Sequence, residues 1–384
     1  MKKVFIIIIG IVLLIPINVK ADDLSLAKNA KSAILIEAST GNIIFEKDAD
    51  MKLAPASMTK MMSMLLIIES IENNIIKWDQ MITVSENASS MGGSQILLET
   101  GEKMSVEDLF KGIAIASGND AVVALAEAIG GSSANFVTMM NKRAKELGLT
   151  NTNFKNPHGL DETNHYSSAR DMSLIAKELV KHEIVLKYTS IYETYLREKL
   201  DTKVWLVNTN KLVRFKEGVD GLKTGYTESA GYCLTATAKK DNMRIIAVVM
   251  DEESSTTRNS EASEMLDYAF AQYELETVLR KDSVLGKSEV NKGKDRYVEV
   301  VPSKDITFLN KKTDKKINAT YKVKVNSIKA PVKKGDVVGK IDVYDDNKKI
   351  ETLDLTVSKN VKKANIITLY FRNLKDILIG NIEI

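Results

Sequence analysis

From Ala56 to Ser70, directly after Pro55, the chain reads as a helix with almost no polar side. Met58, Met61, Met62, Met64, Leu65, Leu66, Ile67 and Ile68 fall on nearly every face of a 3.6-residue turn. A helix of that kind is buried from all directions, so the rest of the chain must wrap it. The 384 residues supply enough chain for two or three structural units and a core that needs no staples.

The wrapping elements follow from pattern. Strand-like stretches at Ser32–Glu37 and Asn42–Lys47 are joined by Ser39-Thr40-Gly41, where glycine suits a tight turn. Helical periodicity covers Val106–Ala116, Ala121–Ile129 and Ala134–Leu147, and Ser168-Ala-Arg-Asp171 resembles a capping box that opens a helix through Val180. Strands return at Ala230–Lys239 and Arg244–Asp251, before a helix predicted from about Ser260 to Tyr273. Strands at both ends with helices between predict one sheet completed by the two ends of the segment, an α/β (α+β) domain over 22–280. From about residue 281 the chain becomes a small β-rich module, with strict alternation in Tyr321-Lys-Val-Lys-Val325 and in Lys340-Ile-Asp-Val-Tyr344 ahead of the turn signal at Asp345-Asp-Asn347. In the last segment, 362–384, Ile367, Phe371, Leu374, Leu378 and Ile382 recur at helical spacing. Thr368, Arg372, Lys375, Asp376 and Glu383 take the other side.

Residues 1–21 have the layout of a secretory signal peptide: Lys2 and Lys3, an uncharged run from Val4 to Ile17, then Val19-Lys20-Ala21. The apolar run is short for a span, which needs roughly 20 apolar residues; an uncleaved anchor is the alternative. No cysteine near residue 21 suggests a lipid-modified terminus. The predicted location is exported.

Charge and rare residues narrow the chemistry. A single cysteine excludes an internal disulfide and multi-Cys metal sites, and three histidines with no pair at ligand spacing make a His-rich metal centre and any metal cofactor unexpected. Cys233 lies in an apolar strand and reads as core rather than nucleophile. The net charge of +3 argues against a nucleic-acid binder. It conceals a split: residues 22–280 hold 28 basic and 37 acidic groups, and residues 281–384 hold 23 and 14.

Ser57-Met-Thr-Lys60 places a hydroxyl and an amine on one face at a helix start, where free N–H groups and the dipole favour developing negative charge. A lysine serves as base when burial or a neighbouring cation lowers its pKa. Ser25-Leu-Ala-Lys28 matches the same pattern but sits at the predicted chain end. Ser117-Gly-Asn119 falls between two helices, and Lys223-Thr-Gly225 precedes a strand, where Gly225 would let backbone approach a ligand. Each triplet alone is weak; the ordered set, spaced by 60 and 106 residues, is not.

With those residues in view, the chain resembles the low-molecular-mass penicillin-binding proteins, serine-type D-alanyl-D-alanine carboxypeptidases. The resemblance runs through Ala54-Pro-Ala-Ser-Met-Thr-Lys60, Ala116-Ser-Gly-Asn-Asp-Ala121, Asn156-Pro-His-Gly-Leu160, Ser167-Ser-Ala-Arg-Asp-Met172, Gly221-Leu-Lys-Thr-Gly-Tyr-Thr227 and Ala230-Gly-Tyr-Cys-Leu234, then the β-rich module over 281–361 and the terminal helix. It implies a central antiparallel sheet with a helical subdomain. It also implies that Ser57 forms an acyl-enzyme with peptidoglycan stem peptides ending in D-Ala-D-Ala, or with β-lactam antibiotics. Lys60 would be its base and Ser117 a proton relay, with no cofactor required. Asn119 would hold Lys60 and substrate; Lys223, Thr224 and Arg258 would bind the terminal carboxylate; the N–H groups of Ser57 and Tyr226 would form the oxyanion hole. Arg258 has a surface arginine as its alternative reading. The Asn156–Leu160 loop and Asp171 look structural, and His158 and His165 either line the cleft or are ordinary loop histidines.

Two other readings compete. A class A β-lactamase needs a deacylating glutamate, for which Glu162 is the nearby candidate without the expected asparagine spacing. A non-catalytic wall-peptide binder would not need intact Ser57, Lys60, Ser117 and Lys223. Endopeptidase or transpeptidase specificity stays open. The terminal helix predicts an anionic membrane-surface partner, supported by Lys359, Lys362 and Lys363 just upstream, with packing on the β-rich module as its alternative.

Overall fold

The computed structural model describes residues 25–346 and 348–379. Residues 1–21, expected to be a secretory signal peptide, and Ile382 and Glu383 of the predicted terminal helix lie outside the described residues.

Five antiparallel strands form the central sheet: β1 (Ser32–Glu37), β2 (Ile43–Lys47), β3 (Val219–Thr227), β4 (Gly231–Lys240) and β5 (Met243–Glu252), in the order β2-β1-β5-β4-β3. The amino-terminal strand β1 pairs with the late strand β5, Ser32 opposite Met250 through Glu37 opposite Ile245. Chain ends therefore do complete one sheet. Period-two alternation splits each strand between two cores: Ile34, Ile36, Ile246, Val248 and Met250 face the helical side. Ala33, Leu35, Ile245, Ala247 and Val249 face the other.

The helical side holds α1 (Lys60–Glu72), α2 (Val106–Ala116), α3 (Asn119–Gly130), α4 (Ser133–Glu146) and α5 (Ala169–Leu179). Every residue of α1 from Lys60 to Ile68 is buried, as its unbroken apolar character requires. At the start of α5 the Asp171 N–H donates to Ser168 Oγ, but the capping box is not reciprocal. The Asp171 carboxylate instead accepts from Asn151 N and Thr152 Oγ1 at 2.8 and 2.6 Å. On the opposite face α6 (Ser255–Gln272) packs Ala262, Met265, Leu266 and Ala269 against the sheet. It starts earlier than the apolar pattern implies because Ser254 caps it, accepting from Thr257 N. That extension puts Arg258 in the first turn.

The β-rich module is a six-stranded sheet built from residues between Gly286 and Val357. Strand Tyr273–Leu279 pairs with Ile306–Lys311, so the module's pairing reaches back before 281, where only the composition changes. This ribbon contributes Tyr273 and Leu275 to the core between the central sheet and α6, and Val278 and Leu279 to the module core. In Val337–Asp345 the alternation marks a buried face, Ile341 and Val343. In Ala319–Val325 it does not: this is the edge strand, Tyr321 and Val323 stay exposed, and Lys322 and Lys324 guard the open edge.

The terminal helix spans Ile366–Leu378 and is capped by Asn365, whose side chain accepts from Thr368 N. It begins later than 362 because Lys362 and Lys363 are held in backbone pairing with Lys294 and Gly293. Its polar side faces the module: Arg372 donates to Gly293 O and Lys294 O, both at 2.9 Å, and Arg296 pairs with Asp376 at 2.7 Å. No residue of the helix is buried, and Ile366, Phe371 and Leu378 project outward. Among the described residues no single helix is long and apolar enough to cross a membrane.

Candidate active site

Ser57 lies in a one-turn 3-10 helix, Ala56–Thr59, that runs into α1. Three residues per turn set Ser57 and Lys60 one above the other, and Lys60 Nζ is 2.9 Å from Ser57 Oγ. Ala56 takes a positive φ of 45°, as does Ser117 at 63°, a conformation that costs an ordinary side chain about 1 kcal/mol or more and clusters at functional positions.

Lys60 is fully buried. Besides Ser57 it reaches Asn119 Oδ1 at 2.6 Å and the His158 carbonyl at 2.8 Å. Three oxygens match the three protons of an ammonium. A neutral amine would still donate to Asn119 and His158, leaving its lone pair for the Ser57 hydroxyl proton. Burial, and then the charge on Lys223, push the Lys60 pKa well below the usual lysine range, while Asp120 opposes the shift. Lys223, also buried, is lowered to about 7 by burial and by Arg258. Arg258 is itself shifted down by burial. Charge thus acts down a row, Arg258 on Lys223 and Lys223 on Lys60, and an incoming anion meets a favourable field at Arg258 and Lys223.

The remaining predicted residues arrive from separate elements. Ser117 terminates α2, and its buried hydroxyl has no hydrogen-bond partner among the described residues. Asn119 opens α3, accepting from Lys60 and donating to Gly92 O at 2.6 Å. Thr224 donates to Thr209 Oγ1 at 2.8 Å. Gly225 permits a close approach, but to the nucleophile's own turn: a Cβ there would lie 2.8 Å from Pro55 O and 3.3 Å from Ser57 N. That close approach packs β3 on the Ser57 turn. Tyr226 follows, with its exposed ring against Tyr232 at 4.4 Å. Arg258 is not on the surface; it is buried, with Nε and Nη2 on Asn259 Oδ1 at 3.1 and 3.0 Å.

Several contributors escaped sequence reasoning. The loop Asn156–Leu160, expected to be structural only, gives Lys60 the His158 carbonyl and gives Ser63 the Pro157 carbonyl at 2.7 Å. Gly159, with φ +92°, lies where any Cβ would overlap the Ala56 carbonyl. Asp120 accepts from Ile96 N and Leu98 N at 3.0 and 3.1 Å, fixing the wall beside Asn119. The motif-like spelling of the loop was the available signal; a backbone carbonyl leaves none. His165 is a core residue packed on Phe154, and burial lowers it to about 4. Cys233 is buried and pushed up to about 12, an inert thiol. Glu162 is exposed and accepts from Asn156 Nδ2 of the loop at 3.2 Å. Glu69, Glu178 and His182 also converge, but Arg143 donates to both carboxylates at 2.7 and 3.3 Å and Lys181 pairs with Glu178, so two cations already balance the two carboxylates.

A family model described as D-alanyl-D-alanine carboxypeptidase matches residues 18–254. The chain belongs to that family. A second model, described as the C-terminal domain of penicillin-binding protein 5, matches residues 273–363 of this carboxypeptidase-family chain, in step with the strand pairing. Among curated relatives, D-alanyl-D-alanine carboxypeptidase DacF of Bacillus subtilis is 49% identical over 91% of this chain and 90% of its own. DacC of Escherichia coli is 36% identical over 88% and 85%. Among solved structures, penicillin-binding protein 5 from Haemophilus influenzae superposes with a TM-score of 0.71 at 33% identity, covering 87% of this chain and 98% of that one. Penicillin-binding protein D2 from Listeria monocytogenes, in its cefotaxime-bound form, gives 0.58 at 30% over 63% and 97%.

Proposed function

We propose that this chain is a serine-type D-alanyl-D-alanine carboxypeptidase that removes the terminal D-alanine from peptidoglycan stem peptides through a Ser57 acyl-enzyme. The observation that carries the reading is the buried Lys60 amine 2.9 Å from Ser57 Oγ with its pKa held low. Neutral Lys60 takes the Ser57 proton as Oγ attacks the penultimate D-Ala carbonyl. Backbone N–H groups of Ser57 and Tyr226 receive the oxyanion, a contribution on the order of 3 kcal/mol per donor. Lys223, Thr224 and Arg258 bind the substrate carboxylate, Asn119 orients Lys60, and Ser117 passes a proton to the departing amine. Water then hydrolyses the ester. A β-lactam would acylate the same hydroxyl.

The test is paired: labelling with fluorescent penicillin, and D-Ala release from a peptide ending in D-Ala-D-Ala. The mature wild type performs both and Ser57→Ala neither; labelling that turns over rapidly without D-Ala release would instead indicate a β-lactamase.

The proposed location is the outer face of the cytoplasmic membrane. Export rests on the leader-like residues 1–21. Attachment rests on the outward apolar side of Ile366–Leu378 and the basic balance of residues 281–384. Deleting residues 362–384 should move the protein from membranes to the soluble fraction; retention on membranes would refute the attachment.

A further inference from the structure

The chain has two tryptophans. Trp78 packs inside, 5.4 Å from Phe110 and 5.3 Å from Tyr188. Trp205 does the opposite. It lies on the hairpin Glu193–Leu196/Val204–Val207, directly opposite Tyr195, and both rings face solvent, 57% and 43% exposed. Leu196 and Leu206 take the inward positions, so the outward pair is fixed by the pleat. Phe215, 72% exposed, stands beside Tyr192 at 6.1 Å, and Arg214, over both rings, reaches Glu193 of the hairpin at 4.0 Å. Lys203 sits 3.8 Å from the Tyr195 ring centre, and Arg214 4.7 Å from that of Tyr192. Exposed aromatic surface of this extent marks a binding face rather than ordinary surface.

The hairpin is mounted on the cleft. Arg197 pairs with Glu102 at 2.6 Å and donates to Ile96 O and Leu97 O at 3.2 and 3.1 Å, the segment that Asp120 holds beside Asn119. After Val207, Thr209 N donates to Ile115 O at 3.2 Å, and Thr209 Oγ1 accepts from Thr224. The hairpin that carries the aromatic pair is thus tied by hydrogen bonds to the segments that line the site.

We propose that this face binds the sugar backbone of the wall polymer. The inference rests on the peptidoglycan reading above and extends it from the stem peptide to the chain that carries it. Sugar rings present flat C–H faces to aromatic rings while their polar substituents stay at the rim. Lys203 and Arg214 supply cations for the polymer's carboxylates. A docked glycan strand raises the local concentration of stem peptides at Ser57 without touching the reacting atoms.

The experiment compares the mature wild type with Tyr195→Ala/Trp205→Ala and, with the aromatics kept, Lys203→Glu/Arg214→Glu. Co-sedimentation is measured with insoluble peptidoglycan and with glycan strands stripped of peptides by an amidase. D-Ala release is measured from pentapeptide-bearing wall and from a soluble peptide ending in D-Ala-D-Ala. Both variants should bind wall and stripped glycan about tenfold more weakly and raise KM for wall with kcat unchanged, while soluble-peptide turnover stays within about twofold. Wild-type binding to stripped glycan by both variants overturns the proposal, as does an equal loss on soluble peptide, or a loss of binding to anionic vesicles in place of glycan. Failure of the underlying reading looks different: the wild type would release no D-Ala from the soluble peptide.

Discussion

Thr59 Oγ1 lies 2.9 Å from His165 Nε2, next to the residue whose amine faces Ser57. The other ring nitrogen, Nδ1, accepts from Lys155 N at 3.0 Å, so the proton is on Nε2 and donates to Thr59. The ring is a neutral pin between the Lys155 loop and the nucleophile's turn.

That neutrality sets a pH dependence. The folded His165 titrates at about 4 against 6.5 ordinarily, so the unfolded chain binds more protons between those values. Stability is complete above about 6.5 and falls as pH drops toward 4, by on the order of 3 kcal/mol from this group. His165→Gln should be less stable than wild type at pH 7 and show a flatter decline over that window in urea titrations. An unchanged slope would remove His165 as the cause.

The row of cations makes a kinetic prediction. Lys223 loses its proton above about 7, so kcat/KM for D-Ala release should decline there as carboxylate binding weakens. Lys223→Arg keeps its charge and should lose that alkaline limb, whatever its absolute rate. Lys223→Met removes the charge that depresses Lys60, so the acid limb should move to higher pH. Limbs that stay in place in both variants would separate Lys223 from the reaction.

Ser117 combines a left-handed backbone with an unpartnered buried hydroxyl. Ser117→Gly relieves the first and loses no bond from the second, so it should melt no lower than wild type, with a gain of up to about 1 kcal/mol. D-Ala release should fall by roughly 10²–10⁴. A variant that is both less stable and fully active would contradict the assignment.

Arg372 and the Arg296–Asp376 pair fix the terminal helix to the module by its polar side. Arg296→Ala/Arg372→Ala should speed amide exchange across 366–378, by about 1–2 kcal/mol in opening energy. Vesicle binding should persist, because the outward apolar side is untouched. Unchanged exchange would show that the polar contacts do not hold the helix.

What the sequence determined on its own was whatever rests on local pattern. Short apolar, strand-like runs marked β1 and β5. The all-round apolar run marked α1 as central. The spacing of Ser57, Ser117 and Lys223 marked three pieces of one cleft, because side-chain chemistry and short-range geometry are written in adjacent residues. Alternation marked Tyr321–Val325 as strand but not its exposure, since burial depends on whether a neighbouring layer exists. The early start of α6 and the ribbon at Tyr273–Leu279 were set by a cap and a distant partner strand. Only the tertiary structure decided that the His158 carbonyl, rather than its ring, meets Lys60, and that Gly225 serves the Ser57 turn. It alone lined up the three cations so that Arg258 lowers the pKa of Lys223 and Lys223 that of Lys60. Those are long-range relations: a carbonyl is present in every residue, and a charge acts through distance, which chain order does not encode.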